Sequence, residues 1–111
     1  MKTSELTGAA LDWAVAKCEE LEVYFENGLV CLVGQPFVTY WRYWNPSADW
    51  AQGGMIIQSQ KITLEWTGEN WCAYIRHDQE EFGNTPLIAA MRCFVASKLG
   101  DTVEIPQELQ S

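Results

Sequence analysis

TPLIAAMRCFVASKLGD, residues 85–101, is the stretch whose reading decides the fold. Thr85 offers a side-chain oxygen at a helix start, and Pro86 suits the first helical position, where its missing N–H is not needed. Gly100 supplies the stop. Between them, residues 87–99 are apolar almost all the way round, which predicts a helix packed on most of its sides. Arg92 is the outlier, because on a helical wheel it falls between Ile88, Ala96 and Leu99. Its guanidinium keeps its proton, so it needs an anionic partner or a route to water. Asp49 or another carboxylate is one such partner, and a ligand phosphate is the other.

Working outward, Thr7 can cap a second helix over residues 8–20. Leu11, Ala14, Val15 and Cys18 share one face, with Asp12 and Glu19 across from them. Trp13 stands off that stripe and calls for a cover of its own. An acidic stretch with Glu19, Glu20, Glu22 and Glu26 ends at the turn pair Asn27-Gly28. Residues 29–33 and 37–44 read as strands, separated by Gly34-Gln35-Pro36. Residues 46–54, PSADWAQGG, read as a loop. Ile62, Leu64 and Trp66 alternate as a half-buried strand, and residues 71–75 form its hairpin partner across the turn 67–70. Residues 76–83 read as a solvated loop, Val103 and Ile105 as a short terminal strand, and 107–111 as a frayed tail. The expectation is one α+β domain over residues 1–111, with two helices packed on an antiparallel sheet of four to five strands.

Composition narrows the function classes. A chain of 111 residues with 48% hydrophobic and 20% charged residues suits a folded domain rather than a disordered one. The formal charge is −8, and the seven basic residues form no cluster. Grouped Lys and Arg are what release counterions from a phosphate backbone, so neither nucleic acid nor an anionic membrane surface is an expected partner. Residues 3–5 begin no apolar run, and no stretch reaches the ~20 apolar residues of a membrane span. The four cysteines, Cys18, Cys31, Cys72 and Cys93, include no C-x-x-C pair and read as reduced, packed thiols. With His77 the only histidine, no metal site is expected, and no cofactor either.

Catalytic signals are missing as well. His77 lies among Asp78, Glu80 and Glu81 and reads as solvated. No nucleophile elbow or glycine-rich phosphate loop occurs, so no catalytic residue is assigned and a non-enzymatic binder is expected. Aromatic density is what stands out, with six tryptophans in the chain. Tyr40, Trp41, Tyr43, Trp44 and Trp50 fall close together with Arg42 among them. On a strand over 37–44, Tyr40, Arg42 and Trp44 share one face while Trp41 and Tyr43 share the other. Either a core packed with aromatics or a stacking platform for a planar ligand fits that pattern. The polar residues that follow, Asn45, Ser47, Asp49 and Gln52, with Gly53 and Gly54, fit a small polar ligand site and a hydrogen-bonded structural loop equally well. The candidate ligand-binding set is therefore Tyr40, Arg42, Trp44, Asn45, Ser47, Asp49, Trp50, Gln52, Gly53, Gly54 and Arg92.

Three blocks, TSELTGAALDWAVAKCE at 3–19, PSADWAQGG at 46–54 and TPLIAAMRCFVASKLGD at 85–101, resemble the NinX-like proteins of temperate bacteriophages, a domain of unknown function. Here Gly83-Asn84 precedes the last block where the family pattern has Gly-Pro. The resemblance implies a phage or prophage accessory protein expressed in the cytoplasm of the bacterial host, and it implies no activity.

Two expectations follow. The first is a sponge that sequesters a nucleotide second messenger of host immunity: Trp50 or Trp44 stacks a base, Asp49 or Gln52 bonds its ribose or base edge, and Arg42 or Arg92 meets phosphate. The second is an acidic inhibitor of a host defence or nucleic-acid-processing protein, acting through Glu19 to Glu26 with Trp13. Trp13 and the two-faced aromatic strand leave apolar area to cover, so a homodimer or larger homo-oligomer is expected.

Overall fold

In a computed structural model, which describes residues 1–33 and 42–110, the 85–101 stretch forms α3, Pro86–Leu99. Its ends follow the sequence: Thr85 Oγ1 accepts the Ile88 N–H at 3.1 Å, and Gly100 turns the chain with a φ of 87°. Leu87, Ala89, Ala90, Met91, Cys93, Phe94 and Val95 are all buried, so the helix is enclosed on most sides. The first helix, α1, runs Gly8–Cys18. Thr7 holds the N-cap position in extended backbone, without a side-chain hydrogen bond. Trp13 packs part-buried against the core, and Lys17 Nζ stands 5.2 Å over its ring.

Two antiparallel sheets flank these helices. In the first, β1 (Val23–Glu26) pairs with β2 (Leu29–Leu32) across Asn27-Gly28, whose backbones both take positive φ, as a tight hairpin requires. In the second, β3 (Thr63–Trp66), β4 (Trp71–Tyr74) and β5 (Glu81–Gly83) form a meander. A further helix, α2, spans Trp50–Gln60.

This architecture corrects the expected one. Among the described residues there are three α-helices rather than two, and the strands form a two-stranded and a three-stranded sheet rather than one sheet of four to five. The reason lies in α1, which contacts β2 and also α3, while α3 lies against β4 and β5. Ala10, Leu11, Asp12, Ala14, Val15 and Ala16 are all buried, so α1 presents more than one stripe and separates the two sheets. The remaining differences are local. Residues 50–54 open α2 instead of ending a loop, and the acidic stretch contains β1. The 76–83 segment ends in β5. Val103 and Ile105 are buried without forming a strand, and beside them Thr102 bridges to Lys2. Gln107–Leu109 makes a single 3-10 turn.

Candidate functional site

The chain from Arg42 to Gln60 carries most of the expected site and shows why those residues are there. The Trp44 N–H donates to Val30 O at 2.8 Å, and the Leu32 N–H donates to Arg42 O at 3.0 Å. Residues 42–44 therefore run beside β2, with Tyr43 opposite Cys31. Tyr40 and the rest of the expected 37–44 strand up to residue 41 lie outside the described residues.

Gln52 is buried and works as a clamp. Its Oε1 accepts the Asn45 N–H at 2.7 Å, and its Nε2 donates to Tyr43 O at 2.9 Å. Asp49 caps α2, with Oδ1 accepting the Ala51 N–H at 2.8 Å. The Ser47 N–H donates to Asp12 Oδ1 at 2.9 Å, which ties α1 to the turn before α2. Asp12 was expected across from the core stripe, yet it is only 5% exposed. Burial pushes its carboxyl up to about 6, against the opposing pull of the Ser47 hydrogen bonds. Gly53 sits where α2 meets the Pro46 carbonyl and α3. An added Cβ would lie 2.4 Å from Pro46 O and 2.6 Å from Leu87 Cδ2. Gly54 has no such neighbour, its nearest being Trp50 Cε3 at 3.8 Å.

The two arginines are both engaged within the chain. Arg42 pairs with Glu26 at 2.6 Å on the surface. Arg92 Nε donates to Leu6 O at 2.8 Å, and its Nη1 donates to Phe82 O at 2.7 Å. Among the described residues neither Asp49 nor any other carboxylate hydrogen-bonds it; carbonyl oxygens do. Burial lowers the Arg92 pKa, with Glu81 opposing the shift.

The two tryptophans of this segment have opposite fates. Trp44 is 7% exposed, so its ring is no stacking platform. Its indole N–H is buried and meets no acceptor among the described residues. It lines a pocket of about 170 Å³ with Glu19, Gln52, Met55, Ile56 and Ser59. Trp50 is 55% exposed. It borders a groove of about 340 Å³ with Ser47, Ala48 and the residues that start α3, Thr85, Pro86, Leu87 and Ile88.

The structure thus brings Ser47 and Trp50 to one groove and Trp44 and Gln52 to one pocket. It gives Arg42, Asn45, Asp49, Gly53 and Arg92 internal partners. The Thr85–Ile88 wall, and Glu19, Met55 and Ser59, were not legible as site residues, since nothing in their local pattern distinguishes them from ordinary caps and helix faces. Burial pushes the thiols of Cys18, Cys72 and Cys93 up to about 11, and Glu80 adds to this at Cys72. Those three are not thiolates at neutral pH. Among the described residues, no group of three or more His, Cys, Asp or Glu could hold a metal ion, and no helix is long and apolar enough to cross a membrane.

A family model described as bacteriophage P22, NinX, matches residues 2–98. No curated protein matches the chain.

Proposed function

The chain belongs to the bacteriophage P22 NinX family, and from that premise we propose that this small α+β accessory domain acts by holding a nucleotide-like molecule without turning it over. The observation that carries the reading is Trp50, 55% exposed beside the groove at the start of α3. A planar base laid on the indole gains roughly 1–3 kcal/mol from stacking. In the first turn of α3 Pro86 has no N–H and Thr85 Oγ1 takes the Ile88 N–H, so the Leu87 N–H and the positive end of the helix dipole are what favour an anion, by ~0.3–1 kcal/mol. That end replaces Arg42 and Arg92 as the phosphate seat, since both guanidiniums are already engaged. In a phage or prophage setting, such a domain would sequester a nucleotide second messenger of host immunity.

Calorimetry against cyclic dinucleotides and cyclic ADP-ribose isomers tests this. One of them should bind each chain once and be recovered intact after heating. Trp50→Ala should weaken that binding by roughly tenfold or more, as loss of a stacking partner implies. Failure of every ligand to bind removes the reading, and recovery of altered ligand makes the protein an enzyme.

A second reading, an acidic inhibitor of a host protein, rests on Tyr24 and Leu29, 42% and 46% exposed on the hairpin that follows Glu20 and Glu22. It requires a stoichiometric host partner in a pulldown, and charge reversal at Glu20 and Glu22 should weaken that complex. An oligomer that buries the same area belongs to this reading, and light scattering at micromolar concentration decides it.

A further inference from the structure

The three-stranded sheet has one face against α3 and one face that no helix among the described residues covers. Strand pairing puts Leu64, Ala73 and Glu81 in one row and Trp66, Trp71 and Gly83 in another row on the same side. That side meets α3: Ala73 is fully buried, and a Cβ added at Gly83 would lie 2.6 Å from Ala89 N. The opposite side carries the row Glu65, Cys72 and Phe82, with Tyr74 in the next row. A sheet face turned to water is ordinarily polar, yet Phe82 is 44% exposed in the middle of β5. Two carboxylates are fixed beside it. Glu80 Oε2 accepts the Cys72 thiol at 3.2 Å, and Glu65 Oε1 accepts the Tyr74 hydroxyl at 2.7 Å. Neither carboxylate is neutralised by the chain itself. All seven Lys and Arg lie within the described residues, and the ion pair among them is Arg42 with Glu26.

An exposed ring flanked by oriented, unpaired carboxylates is complementary to a guanidinium. That planar cation stacks on an aromatic face while its N–H fork reaches a carboxylate, which a lysine ammonium does less well. A second copy of the chain does not fit, because each copy carries a charge of −8 and this face would set carboxylates against carboxylates. We infer that the outer face of β3, β4 and β5 is a docking surface for an arginine-bearing basic segment of another protein. One guanidinium lies on Phe82 and forks to Glu80. A second arginine two positions along an extended segment reaches towards Glu65, since alternate side chains of a strand stand about 6.5 Å apart on one side. The surface is separate from the Trp50 groove and from the hairpin of β1 and β2, and it stands whether or not either of those binds anything.

The probe is a capped hexapeptide that alternates arginine with serine, titrated into the full chain labelled with nitrogen-15. Amide shifts should concentrate on residues 63–66, 71–74 and 80–83, and binding should weaken as salt is raised. The same peptide with lysine for arginine should bind about two- to fivefold more weakly, as loss of guanidinium stacking implies. Phe82→Thr keeps a strand-forming residue and the backbone oxygen that Arg92 uses, and Glu80→Gln keeps an oxygen for the Cys72 thiol. Each should weaken the arginine peptide by about two- to fivefold, while Trp50→Ala and Glu22→Gln leave it unchanged. Any of four results would overturn the assignment: no binding up to millimolar peptide, equal affinity for the lysine peptide, shifts as large on the hairpin of β1 and β2 as on this face, or full affinity in both Phe82→Thr and Glu80→Gln. A dimer in light scattering that Phe82→Thr disperses would give the face to a second copy and overturn it too.

Discussion

Helices α2 and α3 are each capped by a side-chain oxygen, Asp49 in one and Thr85 in the other, yet different forces hold them in place. Seven residues of α3 are buried, all apolar, and they reach round most of the helix. Only Gln52, Gly53 and Ile56 of α2 are buried. What fixes α2 is a set of polar latches, namely Gln52 to the backbone of Tyr43 and Asn45 and Asp12 to Ser47, plus one close glycine contact. Apolar burial is redundant, since the loss of one methyl leaves the rest. A latch is specific to its partner and has no substitute. The second kind of placement leaves one face of the helix open on each side, which is where the groove and the pocket lie.

The largest effect should come from the glycine contact. Gly53→Ala places a Cβ 2.4 Å from the backbone oxygen of Pro46, which cannot swing away as a side-chain end would. Overpacking of this kind should destabilise by more than about 3 kcal/mol. Gly54→Ala is the internal control, because its Cβ meets only Trp50 Cε3 at 3.8 Å. It should stabilise by about 0.5–1 kcal/mol through helix propensity. Urea midpoints measure both, and similar shifts for the two variants would refute the contact.

The same contrast explains what could be read from the sequence. A helix made by burial announces itself in TPLIAAMRCFVASKLGD, because cap, proline, apolar body and glycine stop all lie within one stretch. The hairpin at 67–70 was legible for the same reason, whereas at Asn27-Gly28 only the turn was, because the strand before it lies in an acidic stretch that reads as a loop. The start of α2 was not: Gly53-Gly54 looks like a turn, and what places it in a helix is contact with Pro46 and Leu87 and the Asp12 carboxylate of α1, which holds the Ser47 N–H from 35 positions away. The buried role of Asp12 was hidden likewise, since a polar residue opposite an apolar stripe normally faces water. Of the site, Trp50 is exposed on the first turn of α2. Arg42 and Arg92 had partners, Glu26 and two carbonyls, that no local pattern could reveal.

A pH titration sharpens the comparison on the latch side. The Asp12 carboxyl is raised from 3.8 to about 6 in the folded chain, so between those values the folded state holds a proton that the unfolded state has lost. Stability should therefore fall as pH rises from about 4 through about 6, by about 2–3 kcal/mol in all. Asp12→Asn keeps an oxygen for the Ser47 N–H and never ionises. It should remove that slope and leave the variant more stable than the parent at pH 8, with little difference at pH 4. A parent whose urea midpoint rises over this interval, or an Asn variant with the same slope, would contradict the assignment.

The smallest effect is the most direct comparison of the two helices. Thr85→Ala and Asp49→Ala each remove one cap hydrogen bond, at 3.1 Å and 2.8 Å, and each should lower global stability by about 1 kcal/mol. Their local consequences should differ. Without its cap, α3 remains enclosed by Leu87, Ala89, Ala90 and the other buried side chains, so its amides should keep their protection against hydrogen exchange beyond the first turn. Without Asp49, α2 keeps only Gln52, Gly53 and Ile56 in the interior, and its first two turns should exchange markedly faster. The readout is the ratio of protection lost in the two helices at equal loss of global stability. Equal fraying in both would mean that α2 is held by burial after all, and that its polar latches follow from its placement rather than cause it.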